Sequence, residues 1–134
     1  MILIERPPNF ERIVAAFPDA VNPGVMFAYG GHIYSPSGGT IPAALMAHEN
    51  VHLDNQREHA NPDHWWDLYI TDSEFRYREE LAAHVAEYRV QLPGLDRNYA
   101  AKLLMSTAAR LVAPLYAYKG KGIQQAIKDI RGFK

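Results

Sequence analysis

A chain of 134 residues fits one domain, residues 1–134, and is long enough to bury a core unaided. With 48% apolar residues, 22% charged residues and a formal charge of −1, it is not disordered, and no basic surplus points to nucleic acid or an anionic membrane. It has no cysteine, which excludes disulfide bridges, thiolate zinc sites and a cysteine nucleophile.

In chain order, Met1–Glu5 reads as a short strand, and Pro8–Phe17 as a helix with Pro8 in its first turn and Pro18 ending it. Val25–Tyr29 and His32–Tyr34 flank Gly30-Gly31, a hairpin signal, and Ser35–Gly39 is a loop. Thr40 is a plausible N-cap, with Pro42 just inside, for a helix running from about Ile41 to about Arg57. Asn61-Pro62 breaks it. A short helix over Asp63–Tyr69 follows, then a longer one capped by Asp72 or Ser73 and ending before Pro93-Gly94. A further helix is expected over Arg97–Tyr116, kinked or ended early by Pro114, and a last one over Ile123–Ile130. The sum is an α+β fold, mainly helical, with a small N-terminal sheet or hairpin. No stretch approaches the roughly 20 apolar residues of a membrane helix. The first residues lack the features of a signal peptide, so a cytoplasmic location is expected.

The chemistry is concentrated in His48-Glu49-Asn50-Val51-His52, an HExxH pattern. Helical residues four apart are turned by about 40° and displaced by about 6 Å, so both imidazoles leave one face and can meet one Zn²⁺. Glu49 is rotated about 100° from His48, too far to be a third ligand beside them, but it can reach a water on the metal and act as general base and then acid. An HExxH arises by chance in roughly one or two of a hundred such chains. The bland alternative is a solvated polar face. Leu45, Met46 and Val51 argue against it, since they make the rest of this helix apolar.

A catalytic zinc takes three protein ligands and keeps one open position. Glu80, on the next long helix, is followed three residues later by the small Ala83, which allows close approach; spacing favours it slightly over Glu79, which points about 100° away towards solvent or an arginine. Either glutamate could instead be a surface charge paired with Arg76 or Arg78.

Ala47–Gln56, followed by Trp65, Trp66, Tyr69, Asp72, Phe75-Arg76 and Glu80-x-x-Ala83, resembles small gluzincin-type metallopeptidases, many of them encoded in phages and prophages. With Phe27–Gly30, Ile33-Tyr34 and Pro36, the resemblance spans roughly residues 25 to 90. It implies a zincin fold with the small sheet packed on the active-site helix, Zn²⁺ on His48, His52 and Glu80, and a peptide or protein substrate. It also implies a supporting role for Gln56, in orienting a ligand or holding the helices together. The Val25–Tyr34 hairpin is the natural edge for an extended peptide. The later glycine and third histidine of metzincins are absent, so that class is rejected.

His84, four residues after Glu80, is a weaker candidate as ligand, oxyanion donor or support, and more often such a histidine is simply hydrogen-bonded on a helix flank. Tyr99, Tyr116 and Tyr118 are further oxyanion candidates, although a buried tyrosine is usually core. His32 lies near the hairpin edge; His59 and His64 are expected to be exposed. Of Trp65 and Trp66, one is expected on the motif helix and the other half exposed. Two rival classes start from the same residues. Glu49-x-x-His52 matches half of a di-iron bundle motif whose second copy is missing. A catalytically inactive module could also keep the fold.

Overall fold

The computed structural model describes residues Met1–Lys134 and is α+β, with three strands and six α-helices. In order these are β1 (Ile2–Leu3), α1 (Phe10–Ala16), β2 (Phe27–Tyr29), β3 (His32–Tyr34), α2 (Ala43–Gln56), α3 (Pro62–Thr71), α4 (Ser73–Gln91), α5 (Arg97–Leu111) and α6 (Ile123–Gly132), with short 3₁₀ turns at Pro18–Val21 and Pro114–Tyr116.

The turn chemistry explains most boundaries. Gly30 and Gly31 hold φ of +60° and +87°, which a two-residue hairpin loop requires and glycine supplies without strain. Asp72 joins α3 to α4: its carboxylate accepts from Glu74 N and Phe75 N while its own N–H donates to Leu68 O. Asn61 Oδ1 accepts from His64 N, so Asn61-Pro62 starts α3 as well as breaking the chain, and α3 runs on to Thr71 rather than stopping at Tyr69.

Several ends differ from expectation. β1 covers only Ile2–Leu3, in parallel register with Ile33 and Tyr34 of β3. Pro8 lies in a turn, and α1 begins after Asn9, whose carbonyl accepts the first helical bond from Ile13 N. Thr40 caps nothing; α2 starts after Pro42, whose carbonyl accepts from Met46 N. α5 ends at Leu111, since Pro114 has no N–H to continue it and opens a separate turn leading to Ala117 at φ +50°.

The sheet order is β1-β3-β2, with β1 parallel and β2 antiparallel to β3. Its period of two divides the hairpin. Ala28 and Ile33, a cross-strand pair, pack on Leu53 of α2, while Phe27 and Tyr34 join Ile13, Phe17, Trp65, Trp66 and Tyr69 in the core under α1 and α3. A second core lies between α4, α5 and α6 around Val85, Leu104, Ala108, Leu111 and Ile130. Leu111 is fully buried there, and Leu111→Ala is expected to lower unfolding free energy by about 2–5 kcal/mol in urea titrations. No helix is long and apolar enough to cross a membrane. α2 and α4 form the most extensive helix pair, with Ala83 completely buried on α4.

Candidate metal centre

His48, Glu49 and His52 of α2 are all buried, as are Glu80, His84 and Glu87 of α4. The α4 residues follow i, i+4, i+7 spacing and therefore share one helical face. The helices run antiparallel, so His48 meets Glu87 and Glu80 while Asn55, further along α2, meets Glu79.

The Glu80 carboxylate sits between the two motif histidines: Oε2 is 3.3 Å from His48 Nε2, and Oε1 is 3.3 Å from His52 Nε2. Tyr69 donates its hydroxyl to Glu80 Oε1 at 2.5 Å. His48 Nδ1 lies 3.2 Å from Glu87 Oε2, and Arg110 pairs with the other Glu87 oxygen. A carboxylate on the far ring nitrogen fixes an imidazole's orientation and tautomer and leaves Nε2 for the centre. His84 Nδ1 is 2.8 Å from the Glu80 carbonyl. A carbonyl only accepts, so Nδ1 carries the proton and Nε2 keeps its lone pair.

Burial and neighbours pull the charges apart. Burial works against a charged His48, but the Glu80 and Glu87 carboxylates outweigh it and push its pKa up to about 10. Glu80 is held well below the ordinary carboxylate range: burial opposes ionisation, and His52 and His48 overcome it. His84, with burial and His48 both disfavouring charge, is pushed down to about 4 and stays neutral. Burial raises Glu49, only partly offset by His48 and His52. Three carboxylates and three imidazoles thus share one buried space, with Arg110 as the nearby fixed cation. Such a donor set suits a divalent transition ion.

His48, Glu80 and His84 form a group that could hold a metal ion, with one donor atom of each within 4.8 Å of the others. His52 falls outside that group, although its Nε2 is as close to Glu80 as that of His48. The carboxylate, rather than any one histidine, is the hub.

Other expected roles are redistributed. Glu79 faces neither solvent nor an arginine: it is 9% exposed and accepts from Asn55 Nδ2 at 2.5 Å and Trp65 Nε1 at 3.1 Å. Arg76 pairs with neither glutamate. Gln56 touches no ligand and instead ties α2 to the hairpin, donating to Ala28 O and accepting from Gly30 N. Trp66 Nε1 also donates to Ala28 O, so that carbonyl of β2 is already engaged on the edge expected to receive a peptide. Both tryptophans are buried, because each indole N–H finds an acceptor inside. Tyr99 is exposed and His64 is exposed beside His59, away from the cluster. His32 stacks edge-on against Tyr34.

Sequence reasoning missed Glu87 and Arg110. The signal for Glu87 was its place seven residues after Glu80 on the face that carries His84; Arg110 had no local signal, since the α4–α5 packing brings it in. Arg76 was also underrated. Its buried guanidinium donates to the carbonyls of Tyr69, Ile70, Tyr116 and Ala117 and fixes the turn that carries Tyr116. Tyr116 lies edge-on to His84, with ring centroids 5.8 Å apart, and its phenol is raised well above its usual value by burial and Glu80.

The cluster lines a cavity of 310 Å³ that also touches α1, β2 and the Pro114–Tyr116 turn. Comparison of the chain with protein-family models, with curated proteins and with solved structures finds no match.

Proposed function

We propose that the protein is a zinc-dependent hydrolase of zincin type acting on peptide bonds. The observation that carries this reading is the Glu80 carboxylate on α4, placed 3.3 Å from the Nε2 atoms of both HExxH histidines. The residues fit a metal on independent grounds. Glu80 Oε2 is buried without a well-aligned hydrogen bond, and two or three imidazoles with one carboxylate match the ligand types of catalytic zinc. His48, His52 and Glu80 would hold the ion, which when bound supplies Lewis acidity that polarises a carbonyl and acidifies water.

The chain's own groups do the rest. Glu49 lines the cavity beside both histidines and takes the proton of the attacking water on its carboxylate. Its pKa, raised by burial, brings it closer to the balance a general base needs before it passes the proton to the leaving amine. Glu87 orients His48, and Arg110 keeps Glu87 ionised. Tyr116 is the best-placed hydroxyl for the developing oxyanion, since it shares the cavity and Arg76 holds its backbone.

A second ligand set, His48, Glu80 and His84, is favoured by the close approach of those three donors and by the fixed tautomer of His84. Elemental analysis of protein purified without a metal-affinity tag separates them. Wild type is expected to carry about one zinc per chain, and His48→Ala and Glu80→Ala to carry less than about a tenth of that. Loss in His52→Ala with retention in His84→Ala supports the first set; the reverse supports the second. Two irons per chain would favour a di-iron protein. No metal in wild type after zinc is added back would overturn the hydrolase.

A further inference from the structure

The cavity that holds the His–Glu cluster is otherwise lined mainly by apolar residues. Of 22 lining residues 14 are hydrophobic, and the charged or ionisable ones, apart from two tyrosines, belong to the His–Glu cluster or, in Arg110, bind it. The apolar lining includes Phe17 and Ala20 after α1, Val25 before β2, Leu45 on the first turn of α2, and Leu115. Val25, Leu45 and Leu115 are only half buried by the protein itself and so have surface left to cover. The volume is informative. A dry cavity of about 150 Å³ holds benzene, so 310 Å³ takes an aromatic or branched aliphatic side chain together with the reacting group it is attached to.

We propose that this apolar lining makes the cavity the specificity pocket of the site, which selects a substrate carrying a bulky uncharged side chain, aromatic or leucine-like, next to the bond held at the His–Glu cluster. The inference rests on the hydrolase reading for the bond's position. A charged side chain laid against these apolar residues would lose its hydration. A glycine would leave them uncovered.

The test uses amino-acid hydroxamates of phenylalanine, leucine, glycine, lysine and glutamate, titrated into Co²⁺-loaded protein and followed by the visible spectrum of the ion. The phenylalanine and leucine compounds are expected to bind about 100-fold more tightly than the glycine compound. Leu115→Trp, which takes up cavity volume, is expected to reduce that preference at least tenfold. Equal affinities across the set, with the spectrum still shifting, overturn the pocket and leave the hydrolase reading intact. If the protein takes up no Co²⁺, that reading falls, and N-acetyl-phenylalaninamide against N-acetyl-glycinamide on the metal-free protein decides the pocket. A tenfold preference for the aromatic amide, seen by NMR shifts at Val25 and Leu115, supports it; equal binding overturns it.

Discussion

Glu49→Gln is expected to keep its full complement of metal and to lose hydrolysis by about a thousandfold, within the range usual for removal of a general base. The two side chains have nearly the same volume, so a residue that is 6% exposed can change without opening a cavity. What changes is the proton. A carboxylate can take one from water and give it to an amine; an amide can do neither at neutral pH. Glu49 is also the buried carboxylate with no assigned work in holding the cluster together: Glu80 meets His48, His52 and Tyr69, and Glu87 meets His48 and Arg110. Metal content by elemental analysis and turnover of a mixed peptide library should therefore separate in this variant. Unchanged turnover would remove Glu49 from the mechanism. Loss of metal would make it a ligand. A wild type that holds zinc but cleaves nothing would leave an inactive module with the same fold.

The motif histidines were legible because their spacing is a property of one helix, and helical geometry alone puts both on one face. Glu80 was only partly legible, since Glu79 and Glu80 are adjacent and the difference between them depends on how α4 rotates against α2. The structure resolves it through Asn55 and Trp65, which claim Glu79 and so turn Glu80 inward. Hydropathy misleads most on α4. Arg76, Glu79, Glu80, His84 and Glu87 give it the look of a solvated helix, yet all five are buried, because Arg76 and His84 find backbone carbonyls and the three glutamates find polar side chains of other helices. Contacts of that kind depend on tertiary packing and leave no periodic trace. By contrast α6, which buries Ala126 and Ile130 and keeps Lys128 and Arg131 outside, followed its pattern closely. Proline marked where elements change but not on which side of the mark the helix lies: Pro8 and Pro42 fall outside their helices, whereas Pro62 falls inside.

The buried Arg76 has the second large effect. Arg76→Lys, conservative by charge, is expected to lower unfolding free energy by about 2–4 kcal/mol and the melting temperature by roughly 10 °C. Arg76 is 5% exposed, and its charge is compensated by oxygen dipoles rather than by a carboxylate. Two of these, the carbonyls of Tyr69 and Ile70, belong to the last turn of α3, the negative end of that helix dipole. The other two, Tyr116 and Ala117, belong to the turn after α5, where Ala117 is held at φ +50°. The planar fork reaches both segments at once, with Phe17 beneath it at 5.0 Å from the ring centroid. A lysine ammonium is a point donor at the end of a flexible stem; it can serve one segment and leaves the other's carbonyls unpaired. Because one of those segments carries Tyr116 into the cavity, hydrolysis should fall by more than the unfolded fraction accounts for, while zinc content stays near one per chain. A variant within about 0.5 kcal/mol of wild type in urea titrations would show that the Tyr116 turn is held by its aromatic stacking on Tyr118 and not by the guanidinium.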